Sequence, residues 1–282
     1  MVKRRSTFML TLSLVISSTI LLQMGLYLVS IVAGWNMKFN FVAFCHGWLK
    51  AFGLTFLEYA LDALVICTLA FFVWSIGVQW IQTARLRKQF ERYRNHKLTA
   101  ELNQGFAENI EEVVVLSHPM PFAITMGVFR PCIMITTGLI SLLDSDELQA
   151  VLYHEMYHKK SRDSLRVFVL SLGASMFRYI PIQNWLHQKY RAIQEVLADE
   201  FAMARQETAV HLGGALLKML KAGRVESMSG MYVSFADTAV HERIECIMDP
   251  ERVMPLRLPY RKTAFSITIF SVISGLFMYA LS

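Results

Sequence analysis

The chain has 282 residues, 54% of them hydrophobic, with a mean hydropathy of +0.38 and a formal charge of +6. That apolar share exceeds what a water-soluble domain carries, so part of the chain belongs in lipid, and the length leaves room for one catalytic domain beside the membrane segments. The four cysteines, Cys45, Cys67, Cys132 and Cys246, show neither C-x-x-C nor zinc-ribbon spacing and read as isolated, mostly buried thiols in a reducing compartment.

Phe8 to Ala33 carries no charge and is long enough to cross the hydrocarbon core. A cleavable signal peptide is the rival for this segment, but the apolar run is about twice a signal core and no small-x-small site ends it. Leu54 to Ile81 is a second candidate span and Thr263 to Leu281 a third. Basic residues cluster at Lys3, Arg4 and Arg5, at Arg85, Arg87, Lys88, Arg92 and Arg94, and at Arg257, Arg261 and Lys262. All three clusters fit one cytoplasmic side. The expected organisation is therefore two transmembrane helices with a short outer loop over 1–84, a cytosolic domain over 85–261, and a C-terminal transmembrane helix over 262–282. The N-terminus then lies in the cytoplasm and the C-terminus outside. The clusters also account for the net charge through anionic membrane lipids, so direct nucleic-acid binding is not expected.

Within the cytosolic part, Val113 to Leu116 and Cys132 to Thr136 read as strands, with Pro119, Pro121, Gly127 and Pro131 punctuating the chain between them. Such a sheet either docks a peptide as an extra strand or only packs against a helix. The next element is a helix. Asp144 or Ser145 makes a good N-cap, and Glu147 completes a capping box ahead of apolar positions Leu148, Val151, Leu152 and Met156.

That helix carries His154, Glu155, Met156, Tyr157 and His158, which spell H-E-x-x-H. Residues four apart share a helix face, so His154 and His158 can hold one Zn²⁺ per chain while Glu155 faces the water that the metal activates, as general base. The following apolar stretch, 166–182, has only about eleven uncharged residues between Arg166 and Arg178, too few to cross. It is expected to be a re-entrant or membrane-surface helix ending near Pro181, with an ordinary buried helix as the alternative. Beyond it, Glu195 to Asp199 reads E-x-x-x-D. Glu195 would complete a His₂Glu site, and Asp199, one turn on, is placed to hydrogen-bond a ligand histidine. Tyr232 and His241 are candidate donors to an oxyanion.

The order of P-F-A-I-T-M-G-V-F-R-P at Pro121 to Pro131, D-E-L-Q-A-V-L-Y-H-E-M-Y-H at Asp146 to His158, Asp163, and E-V-L-A-D at Glu195 to Asp199 resembles the membrane metallopeptidases typified by the BlaR and MecR β-lactam-sensing transducers. Ala198 stands where that family often has cysteine. The resemblance implies that His154, His158 and Glu195 bind zinc, that Glu155 is the base, and that Asp199 and Asp163 support the ligands. It implies a gluzincin-like α+β peptidase domain within a multi-pass α-helical membrane protein of about three transmembrane helices, in a bacterial plasma membrane. Its expected role is cleavage of a cytosolic protein, with a transcriptional repressor favoured, as an antirepressor in signal transduction.

Compared with the receptors, their first span and the extracellular sensor domain that would follow Ser282 are both expected to be absent. Direct β-lactam sensing is therefore not expected. A stimulus would enter through the outer loop, through lipid, or through a separate sensor protein or a homodimer partner. Two alternatives remain: a membrane quality-control zinc protease of the prenyl-protein or heat-shock type, and a non-catalytic signalling scaffold. The former typically places a pair of spans between the two motifs, where this chain has a single short apolar segment.

Overall fold

The computed structural model describes residues 2–33, 56–105, 113–222, 243–248 and 258–281. The outer loop at 34–53 lies outside them. Helix α1, Val2–Ala33, is unbroken over 32 residues, or about 48 Å at about 1.5 Å per residue. A helix satisfies its own backbone hydrogen bonds, which an apolar medium demands. Helix α2, Phe56–Arg92, follows. Lys3–Val29 and Ala63–Arg92 are long and apolar enough to cross a membrane.

The chain divides into two compact units. The first holds Met1–Thr7, Ile81–Phe168 and Gln188–Leu256; the second holds Phe8–Trp80, Val169–His187 and Arg257–Ser282. The apolar segment expected at 166–182 is one helix as far as Met176, followed by a turn and the start of the next helix. Helix α6, Asp163–Met176, stops before a turn, and Pro181 opens helix α7, Pro181–Gln206, instead of closing the helix before it. Proline lacks the N–H that a first helical position leaves unused, so it starts helices well and continues them badly.

Val169–His187 belongs to the second unit. There the fully buried Gln183 accepts from Ser13 Oγ at 2.5 Å and donates to Ser17 Oγ at 3.0 Å, both on α1. Ile182 N donates to Ser266 Oγ at 3.0 Å, on the helix at Tyr260–Leu281. Gly173 meets α1 closely enough that a Cβ would lie 2.9 Å from Ser17 Oγ. Small residues and side-chain hydrogen bonds of this kind, worth about 0.6–2 kcal/mol each, hold apolar helices together where lipid offers no hydrophobic drive.

In the first unit, helix α3, His96–Gly105, precedes strands β1, Val113–Leu116, β2, Ala123–Met126, and β3, Cys132–Thr136. Both predicted strands are present, and β2 is a third that was not predicted; its four residues give too short a pattern to read. The order is β1-β3-β2, with β1 parallel to β3 and β2 antiparallel to it. Alternation splits the sheet between two cores. Val114, Leu116 and Met134 pack with Phe90 and Leu86 from the end of α2, while Val113, Val115, Ile133 and Ile135 pack on the opposite face.

Helix α4, Thr137–Leu142, leads into α5, Ser145–Ser161, the helix of the H-E-x-x-H motif. The capping box is present: Glu147 N donates to Asp144 Oδ1 at 2.9 Å and Asp144 N to Glu147 Oε2 at 3.1 Å. Leu148, Val151, Leu152 and Met156 are all buried in the core with Ile133 and Ile135. Each such burial is worth about 1.5–3 kcal/mol and fixes the roll of α5, and so the direction of its histidines. Helix α8, Val210–Lys221, packs on α5, and its Lys218 reaches the buried Glu147 at 2.5 Å. Arg162 ends α5 in the left-handed conformation (φ 51°), turning the chain directly into Asp163 and α6.

Candidate active site

His154 and His158 lie one turn apart on α5, and their Nε2 atoms face each other at 3.1 Å. Glu195, on α7, places Oε2 3.5 Å from His154 Nε2 and Oε1 3.7 Å from His158 Nε2. The three donors lie within 4.8 Å of one another, so the pairing of α5 with α7 read from the motifs is present in the fold. Behind the imidazoles, Asp199 Oδ1 sits 2.8 Å from His154 Nδ1 and Asp163 Oδ2 sits 2.9 Å from His158 Nδ1. Both carboxylates are buried.

This arrangement fits a metal ion. Asp163 hydrogen-bonds His158 Nδ1 and Asp199 lies against His154 Nδ1, an arrangement that favours the ring protons there and leaves two Nε2 lone pairs and a carboxylate near one space. Like-signed donors converge this way only around a cation. Tetrahedral zinc at about 2.1 Å from each donor sets donor spacings of about 3.4 Å, close to the distances above, and an N₂O donor set suits zinc.

Without a metal, a proton takes the cation's place. Burial and the Arg243 guanidinium oppose a charged His154, but Asp199 and Glu195 outweigh them and raise its pKa to about 9. Burial likewise opposes a charged His158, and Asp163 and Glu195 still raise its pKa. Burial would raise the pKa of Glu195; the His154 and His158 imidazoles and Arg243 lower it instead. Asp199 is also lowered against its burial, by Arg243 and His154.

Glu155 is buried beside His154, and Thr125 Oγ1 on β2 lies 2.8 Å from its Oε2 and 2.9 Å from its backbone oxygen. The strand missing from the sequence reading is thus the one that touches the expected base. Arg243 is a second residue that reading missed. It lies on a short helix, α9, at 243–248, and donates through Nε and Nη2 to Asp199, each at 2.8 Å, while Nη1 lies 3.2 Å from Glu195 Oε2. Nothing in the local spacing around Arg243 marks it, because its partners are 44 and 48 positions away in sequence. Tyr232 and His241, the expected oxyanion donors, lie outside the described residues.

Residues 53–247 match the family model described as BlaR1 peptidase M56. The chain belongs to that family. That family is one of peptidases, and the two helices long and apolar enough to cross a membrane among the described residues and the converging His-His-Glu donors agree with a membrane metallopeptidase class.

Relatives of the M56 chain include Regulatory protein BlaR1 of Bacillus licheniformis, 25% identical over 223 residues, covering 73% of this chain and 37% of the relative. A Protease HtpX homolog of Caldanaerobacter subterraneus subsp. tengcongensis is 31% identical over 86 residues, 30% of this chain and 29% of that one. Another Protease HtpX homolog, of Methanothermobacter thermautotrophicus, is 25% identical over 180 residues, covering 63% and 64%. The chain therefore spans about a third of the length of the first two relatives.

Proposed function

We propose that this M56 chain is a zinc-dependent endopeptidase of the bacterial plasma membrane that cuts a cytosolic protein, with a transcriptional repressor as the favoured substrate, and so relays a signal. The observation that carries this reading is the convergence of His154, His158 and Glu195 beside the buried Glu155. Zinc held by those three side chains would supply a Lewis acid that polarises the scissile carbonyl and makes water acidic near neutral pH.

Glu155, anchored by Thr125, takes the proton of the attacking water and delivers it to the amine nitrogen as the peptide bond breaks. Asp163 and Asp199 keep the imidazole protons on Nδ1, and Arg243 holds Asp199 and Glu195 in place. Substrate pairing along β2, at the edge of the sheet, would bring its backbone to the strand that carries Thr125. The basic clusters support a cytoplasmic N-terminus and active site, with the C-terminal helix at Tyr260–Leu281 as a third span whose end lies outside.

Similarity to a regulatory protein over 73% of the chain supports the signalling role. Similarity to HtpX proteases supports a second reading, quality control of membrane proteins. The test compares the proteins of cells carrying the wild-type chain with those of cells carrying Glu155→Ala, after confirming that the variant still binds zinc and enters the membrane. The expected result is a cytosolic protein, a repressor above all, cut only in the wild type. Cuts confined to misfolded membrane proteins would establish the second reading. Identical fragments in both strains would refute Glu155 as the base.

A further inference from the structure

Gln194 precedes Glu195 on α7 and is 3% exposed, in a core where an amide must find partners. Its side-chain amide lies 3.3 Å from both carboxylate oxygens of Asp163, 3.2 Å from the Tyr157 hydroxyl, 3.1 Å from the Tyr190 hydroxyl and 2.5 Å from Ser6 Oγ. With its nitrogen towards Asp163 and its oxygen towards Tyr190 and Ser6, the N–H groups meet acceptors and the carbonyl oxygen accepts from two hydroxyls. The reverse orientation sets the amide oxygen against a carboxylate. Asp163 Oδ2 is the same oxygen that sits 2.9 Å from His158 Nδ1. Ser6, itself buried, lies on α1, and Met1–Thr7 belongs to the same compact unit as the motif helix.

We propose that Gln194 is a positioning residue for the metal centre: its amide fixes the plane of the Asp163 carboxylate that orients His158 and ties that carboxylate to Ser6 at the start of the first membrane helix. The contacts run Ser6 to Gln194 to Asp163 to His158, and the first three side chains are buried. A carboxylate held at one oxygen by an imidazole can still rotate about its own axis; a second donor that reaches both oxygens removes that freedom. Because Ser6 lies within the unbroken helix α1, displacement of that helix would alter the 2.5 Å contact to Gln194. The first membrane helix is thereby connected to the geometry of one histidine.

The inference rests on His154, His158 and Glu195 being the metal ligands, and the test separates the two. The full chain, purified in detergent, is titrated with zinc against a chromophoric chelator, and its Co²⁺-substituted form is followed by visible absorption. Failure of the wild type to bind one ion would sink the ligand assignment. With the wild type binding, Gln194→Ala is expected to weaken zinc binding about tenfold and alter the Co²⁺ bands, as loss of support behind a ligand does. Ser6→Ala, which leaves Gln194 in place and tests the link should Gln194→Ala not fold, is expected to change both in the same direction by less. In an Asp163→Asn background, Gln194→Ala should cost little more, since the two act through one contact. Wild-type affinity and spectra in either single variant, or losses that multiply in the double variant, would overturn the proposal.

Discussion

Asp199→Asn tests the geometry behind the metal site with almost no change in side-chain volume. Asp199 is 1% exposed and spends both oxygens: Oδ1 faces His154 Nδ1 and Arg243 Nη2, and Oδ2 accepts from Arg243 Nε, all at 2.8 Å. Asparagine has one acceptor oxygen and one donor nitrogen, and every neighbour here is a donor. If the nitrogen faces Arg243, a charge-assisted hydrogen bond worth about 1.5–3 kcal/mol is lost and two N–H groups collide. If it faces His154, the ring proton must move from Nδ1 to Nε2, which removes the lone pair that a metal needs. Either choice weakens the site. The expected outcome is a metal-free protein destabilised by about 2 kcal/mol and zinc binding weaker by about 10–100-fold. Chelator competition gives the affinity, and thermal unfolding of the metal-free protein in detergent gives the stability. Unchanged values in both would mean that Asp199 neither orients His154 nor holds Arg243, and the reasoning would fail.

Zinc uptake at neutral pH should release protons, because His154 is protonated in the metal-free site up to a pKa of about 9 and must be neutral to bind. Calorimetry in buffers of different ionisation enthalpy would count them, and affinity should rise with pH through that range. In the metal-free protein the stabilisation from the charged His154 is complete below the ordinary imidazole value of 6.5 and is lost as pH rises through about 9. That from Glu195 and Asp199 is complete above the ordinary carboxylate values, 4.5 and 3.8, and is lost at acid pH as each group reaches its lowered pKa. Melting temperature without metal should therefore be highest between about 5 and 6.5. Thr125→Val removes the hydroxyl on Glu155 and should lower kcat about tenfold or more, with zinc content unchanged, measured on any peptide the enzyme cuts. Leu152→Ala opens the core under α5 and should cost about 2–5 kcal/mol, read as a loss of thermal stability.

The two histidine donors were legible because the information is local: a capping box, an apolar stripe and two histidines four apart set the orientation of one helix wherever it packs. Strands β1 and β3 were legible for the same reason, as β-branched runs between turn residues. The run at 166–182 was readable as apolar, but not the tertiary partners of the residues after Pro181, since Ile182 and Gln183 bond to Ser13, Ser17 and Ser266 on other helices. Sequence alone determined which residues could bind a metal, because ligand chemistry and helical period are properties of neighbours along the chain. Tertiary structure alone decided what holds the expected base and the supporting carboxylates in place. Thr125 on Glu155, Arg243 on Asp199 and Gln194 on Asp163 join residues 30 or more positions apart, and a hydrogen bond over such a separation depends on packing geometry that no spacing rule encodes.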